Sequence, residues 1–212
     1  TGVSVGATDI DGQTVYSSMK YVSDITAYVV ANGSKYDVIF YAPCPMYAPT
    51  DSSNLFNNLT GLTSIEFAAL KTNKVTNMAR MFQKDSSLTS ISLSSLDTSL
   101  VIDLKGMFDG CAMLTSLDLS SFNTSNVTSI SGMFKNCSNL ETLNISSFNT
   151  SKITGMSQTF MGCGGLRTIN LSNFDTSLVT TMNSLFYDCT ELREVKLGSK
   201  FVTTNVQNMN SM

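Results

Sequence analysis

The chain has no histidine and no tryptophan, three prolines, and charged side chains at only 14% of its 212 positions. Without histidine, the Ser-His-Asp and Cys-His arrangements and the commonest metal ligand are all missing. The carboxylates are scattered and there is no glycine-rich phosphate loop, so no constellation for an enzyme is present. A net charge of −3 without a basic cluster gives no electrostatic case for nucleic acid or an anionic membrane. No run of about 18 apolar residues exists, so no membrane contact by this fragment is expected. Five cysteines are an odd count, a poor start for a disulfide framework. The opening "TGVSVGATDI" lacks an initiator Met, a basic n-region and an apolar h-region, and reads as a mature or excised fragment.

What is present is a period. Phenylalanines fall at Phe56, Phe82, Phe108, Phe134, Phe160 and Phe186, each 26 residues after the last. Three residues after the later four come Cys111, Cys137, Cys163 and Cys189, while Leu59 and Asp85 hold that place in the first two repeats. Leu62, Leu88, Leu114, Leu140, Leu166 and Leu192 open an L-x-x-L-x-L run in every copy, followed by a D/N-T-S tripeptide and V-T-x-M. The last copy slips by one residue at "GSKFVTTNV", which puts Phe201 one place late.

Each repeat divides into two halves. The L-x-x-L-x-L half alternates as a strand does. The second half spaces Val127, Ile130, Met133 and Phe134 along one face of a short helix, with Thr124 or Ser125 at the N-cap place. No copy can bury its apolar face alone, so stacked copies must share one core. Strands stack about 4.8 Å apart and helices roughly 8–10 Å apart, so such a stack curves with the strands inside. The expectation is an α/β leucine-rich repeat solenoid with a concave parallel sheet and short helices on the convex side. A small β-rich cap with a proline-containing connector is expected over 1–53, and about six repeats over 54–212 without a C-terminal cap.

At these residues the sequence resembles the BspA-like leucine-rich repeat surface proteins, in the 26-residue variant found in mycoplasma lipoproteins and gut Firmicutes surface repeats. "LDLSSFNTSNVTSISGMFKNCSNL" and "INLSNFDTSLVTTMNSLFYDCTEL" carry the likeness, and it extends from about Asn54 to Met212. It weakens at "LKTNKVTNM", where the strand-end Phe and D-T-S are replaced, and at "LVIDLKGMF", where V-T-x-M decays. The resemblance implies an extracellular, cell-surface or secreted protein, non-catalytic and without a cofactor. Its implied partner is a protein or glycan on a host or neighbouring cell, and some relatives of this kind are adhesins.

Ahead of the repeats, "ITAYVV" and "KYDVIFYA" flank Asn32-Gly33, a hairpin signal. Val3–Ala7 and Thr14–Tyr16 read as strands, and "APCPMYAPT" as an extended connector. "DIDG" at Asp9–Gly12 begins like a calcium loop but lacks the later carboxylates. A monomer is expected, with the uncapped last repeat open to an end-to-end dimer.

The thiols of Cys111, Cys137, Cys163 and Cys189 read as reduced packing residues. Neighbouring rungs come within the range of a bridge, but parallel side-chain vectors disfavour disulfides, and a row of sulfurs is not a tetrahedron. Cys44, between two prolines, belongs to no column. The methionine column (Met78, Met156, Met182, Met209) reads as core filling. The functional surface is expected on the concave sheet. Its outward columns run Ser64, Ser90, Ser116, Thr142, Thr168, Glu194 and Glu66, Ser92, Asp118, Asn144, Asn170, Lys196. The candidate ligand contacts are Asp118, Glu141, Asn144, Arg167, Asn170, Arg193, Glu194 and Lys196, with no catalytic, metal or cofactor residue among them. A structural stalk displaying another domain is the alternative.

Overall fold

The computed structural model describes residues 7–10, 13–17, 26–32, 35–41, 46–67 and 70–212. Four strands, β1 (Ala7–Ile10), β2 (Gln13–Ser17), β3 (Thr26–Asn32) and β4 (Lys35–Tyr41), form one antiparallel sheet in chain order. The expected hairpin is there, with Asn32 opposite Lys35, and the strand expected at Thr14–Tyr16 lies within β2. Residues 3–6, Asp11, Gly12, Gly33, Cys44 and the connector's 42–45 lie outside the described residues. β4 comes alongside Ser64–Glu66 of the repeats.

The remaining strands are short: β5 (Met46–Tyr47), β6 (Ser64–Glu66), β7 (Leu70–Lys71), β8 (Ser90–Ser92), β9 (Ser116–Asp118), β10 (Thr142–Asn144), β11 (Thr168–Leu171) and β12 (Glu194–Leu197). They pair in parallel as β5–β7, β6–β8, β9–β10 and β11–β12. Ser64 lies opposite Ser90, Ser116 opposite Thr142 and Thr168 opposite Glu194, the 26-residue register of the sequence. The second residue of each of these strands points inward: Ile65, Leu117 and Ile169 are buried, and Ile91, Leu143 and Val195 pack partly buried against the same core.

The expected helices are not formed; the described residues contain no helix. The second half of each repeat is a run of tight turns. In one copy the Met133 N–H donates to the Ile130 carbonyl, Lys135 to Gly132 and Cys137 to Phe134, all spanning three residues where a helix spans four. The N–H groups in between leave the repeat. Ile130, Gly132, Phe134 and Asn136 donate to the carbonyls of Gly155, Ser157, Thr159 and Met161 in the next copy, at 2.7–3.1 Å. Gly132 (φ 63°) and Asn136 (φ 57°) sit left-handed at the third residue of two of these turns, as type II turns require. Two left-handed residues per repeat break a right-handed helix. The spacing that reads as one helical face is also the spacing of successive three-residue turns.

This changes the geometry of the stack. Isolated parallel bridges join Asp51–Asn77, Asn77–Asp103, Asp103–Ser129, Ser129–Gly155, Gly155–Thr181 and Thr181–Asn208 on the turn side. The turn side is therefore spaced by backbone hydrogen bonds rather than by packed helices, so the wide helical flank that would bend the stack is missing. The bridging begins at Asp51, a little before the expected first repeat. One bridge, Thr181–Asn208, spans 27 residues rather than 26, which places the slip seen in sequence. β11 and β12 are still in 26-residue register, so the extra residue lies after Leu197. There Gly198 rests against the Ser172 backbone, where any side chain would collide with it.

The core is the sum of the apolar columns. Phe56, Phe82, Phe108, Phe134, Phe160 and Phe186 stack nearly parallel, with centroids 5.5–6.1 Å apart. Val75, Val101, Val127, Ile153 and Val179 are wholly buried, as are Met78, Leu104, Ile130, Met156 and Met182. Both stretches where the sequence pattern decays keep their inward residues.

Candidate functional site

The D/N-T-S tripeptide is a device of the scaffold. Its threonine was expected near a helix N-cap; instead Thr72, Thr98, Thr124, Thr150 and Thr176 are buried between repeats. The Thr124 hydroxyl donates to the Asn149 carbonyl at 2.9 Å and accepts from the Asn149 N–H at 2.7 Å; Thr150 and Asp175 repeat the pair. Even where D-T-S is replaced, Thr72 donates to the Asp97 carbonyl at 2.9 Å. In the four copies that carry D/N-T-S, the residue before the threonine turns its side chain onto its own backbone. Asp97, Asn123, Asn149 and Asp175 accept from the N–H of Ser99, Ser125, Ser151 and Ser177. These bonds satisfy backbone groups that no strand or helix would satisfy here.

The cysteine column is equally structural. Cys111, Cys137 and Cys163 are buried, Cys189 partly so, and none is in a disulfide. Each thiol donates to the carbonyl of the phenylalanine in the preceding repeat: Cys111 to Phe82 at 3.0 Å, Cys137 to Phe108 at 3.2 Å, Cys163 to Phe134 at 3.1 Å and Cys189 to Phe160 at 2.9 Å. Burial is the main cause that pushes all four thiols up, Cys189 to about 11, so none is a thiolate near neutrality. Among the described residues no group of three or more Cys, Asp or Glu is placed to hold a metal ion.

The strand face gathers the eight predicted contacts into neighbouring columns, all exposed. Asp118 lies opposite Asn144 and Asn170 opposite Lys196. Glu141, Arg167 and Arg193 recur one place before their strands, and Glu194 opens β12. Several are already engaged. Asp118, Asn144 and Asn170 accept from the N–H groups of Ser120, Ser146 and Ser172 at 2.9–3.2 Å, turning the chain at the strand end. The Ser120 backbone N–H, with its hydroxyl second, holds the Asp118 carboxyl below the ordinary value. Arg193 faces Glu191 at 3.4 Å and Lys196 faces Glu194 at 3.7 Å, both solvent-exposed pairs.

One polar residue stands apart from this pattern. Asp85, in the thiol column, is fully buried. Its Oδ1 accepts from the Leu59 N–H at 2.7 Å and its Oδ2 has no partner. The sequence signal was a carboxylate in a column otherwise held by Leu and Cys.

No curated protein matches the chain, and no solved structure does. A family model does match, over 50–163 and again over 129–212, two overlapping passes along the same repeats that begin where the bridging begins. By this match, the chain belongs to the family described as "Mycoplasma protein of unknown function, DUF285".

Proposed function

We propose that the chain is a non-catalytic leucine-rich repeat solenoid of the BspA-like kind, part of a bacterial cell-surface or secreted protein, that binds a protein or glycan through its strand face. The observation that supports this most is the division within the strands. Inward residues fill the core, while outward residues are polar and, apart from the half-buried Ser64, exposed in successive copies, held at a fixed repeat by the stack. Rows of hydroxyl and amide groups at constant spacing suit many weak polar contacts with an extended partner, whose strength comes from their number. The mixed charges at Glu141, Arg167, Arg193, Glu194 and Lys196 mark the end of the face with the most electrostatic character. In this reading the β1–β4 sheet caps the first repeat, dividing the chain into 1–53 and 54–212.

A stalk or spacer is the second reading. It is favoured by the self-engagement of Asp118, Asn144 and Asn170, and by outward strand columns that carry no Trp, Tyr or Arg, the residues that dominate binding hot spots.

Thermal unfolding against a panel of soluble oligosaccharides and extracellular-matrix proteins separates the two. A partner bound to the folded state at a hundredfold its Kd adds about 2.7 kcal/mol of stability. The binding reading predicts such a rise in Tm with at least one probe, lost in an Arg167→Ala/Arg193→Ala variant. A Tm indifferent to every probe, with cell attachment unchanged when outward strand residues are replaced, supports the stalk.

A further inference from the structure

Asp85 occupies the place that the thiols hold in the later repeats. In four repeats the side chain at this place gives a hydrogen to the carbonyl of the phenylalanine 29 residues earlier. For Asp85 the corresponding phenylalanine is Phe56, whose ring lies 5.5 Å from that of Phe82. An ionised carboxylate only accepts hydrogen bonds, whereas a carboxylic acid has one O–H to give. Oδ1 is already served by the Leu59 N–H, and the unpartnered oxygen is Oδ2, where such a hydrogen would reside.

Among the described residues no charge compensates Asp85. The preceding turn, 54–59, carries no titratable side chain. On its own turn Arg80 and Lys84 are exposed, and no salt bridge among the described residues includes Asp85. On the following turn stand Cys111, whose thiol is pushed up by burial first and then by Asp85, and Asp109, tied to Gln83 and Asn136.

We infer that Asp85 is folded in as a neutral carboxylic acid, an oxygen counterpart of the column thiols, and that losing its proton as pH rises loosens the seam between the first and second repeats. Burial pushes its carboxyl up to about 7, outweighing the Leu59 N–H that favours the ionised form. The sign follows from the folded group holding its proton more tightly than the unfolded one. Its stabilisation is complete below an unfolded value of about 4, is lost as pH rises to about 7, and stays lost above that. Within that window the folding constant falls by up to about tenfold per pH unit. With no histidine in the chain, no other side chain has an ordinary value between about 5 and 8.

The test is urea unfolding from pH 4 to pH 8 for the wild type and for Asp85→Cys, which installs the column's usual donor. The gap between the two should widen as pH rises to 7 and then level off; a gap independent of pH overturns the proposal. Carbon-detected NMR of the wild type covers the case in which the variant fails to fold. A buried aspartate carboxyl titrating near 7 is expected, and one titrating below 5 contradicts the proposal. Hydrogen exchange locates the effect. Corrected for intrinsic rate, protection of the Phe56 and Asn58 amides, which bond across the seam to Met81 and Gln83, should fall with rising pH while that of Gly132 and Phe134 holds. Equal pH dependence at both places would refute the local seam.

Discussion

The two flanks of the stack are joined differently. On the turn flank every seam is bridged, from Asp51–Asn77 through Thr181–Asn208. On the strand flank β6 pairs with β8, β9 with β10 and β11 with β12, but β8 does not pair with β9, nor β10 with β11. The turn flank also holds the phenylalanine stack and the thiol column. Continuity of hydrogen bonding and burial therefore lies with the irregular-looking half of each repeat. The half that looks most regular in sequence, L-x-x-L-x-L, supplies inward side chains and leaves its outward positions free to vary.

Removing a ring from the turn flank should test this contrast most severely. Phe134 is wholly buried between Phe108 and Phe160, so Phe134→Ala should cost about 3–5 kcal/mol in urea unfolding. The partly buried strand residue Leu143, replaced by Ala, should cost less; a reversed order would break the comparison. Next in size is the threonine staple. Thr150→Val keeps the shape but strips the Asp175 N–H and carbonyl of their partner, for about 1–3 kcal/mol, while Thr150→Ser should recover most of the loss. Gly162, left-handed at φ 72° and 2.8 Å from the Asn136 Oδ1 at its absent Cβ, should lose about 1–2 kcal/mol on mutation to Ala. Arg80→Gly, at a left-handed residue with an exposed side chain, should move stability the other way.

Acid separates a smaller set of contributions. Asp51, Asp97, Asp118 and Asp175 are held below the ordinary carboxyl value by hydrogen bonds from the serine two residues on. Their stabilisation is complete above the unfolded value, near pH 4, and fades as pH falls through the lower folded values. Asp118→Asn retains an acceptor for the Ser120 N–H and should flatten that part of the acid limb, measured by thermal unfolding between pH 2 and pH 5. The smallest effect belongs to the outward strand column. Thr142→Ala, at an exposed position, should change stability by no more than about 0.5 kcal/mol, whatever it does to a bound partner.

The period, the inward columns and the registers of β6–β8, β9–β10 and β11–β12 were legible in the sequence because these copies obey the same burial, whereas β5, inside the stretch read as a connector, and its pairing with β7 were not. The turns were not. Gly106, Gly110, Gly132 and Gly162 mark left-handed places plainly, but Arg80, Lys84, Gln158, Ser184 and Asp188 occupy the same places in other copies and hide them. Val127, Ile130 and Met133 suit a helix and a chain of three-residue turns equally. What separates the two is where the alternate N–H groups go, and their partners lie 25 residues away. The candidate strand face was legible as columns, but the capping of Ser120, Ser146 and Ser172 by its Asp and Asn side chains was not. Asp85 was visible only as an exception in its column; its meaning depends on burial.

Amide hydrogen exchange measured residue by residue separates the two flanks. If the turn flank carries the continuous ladder, Gly132, Phe134, Asn136 and their counterparts in neighbouring repeats should exchange only through global unfolding. The Arg167 amide, at the unpaired β10–β11 seam, should exchange faster than Glu141 and Arg193 at the paired ones. Fast exchange along the turns, with the strand amides the best protected of all, would contradict the account.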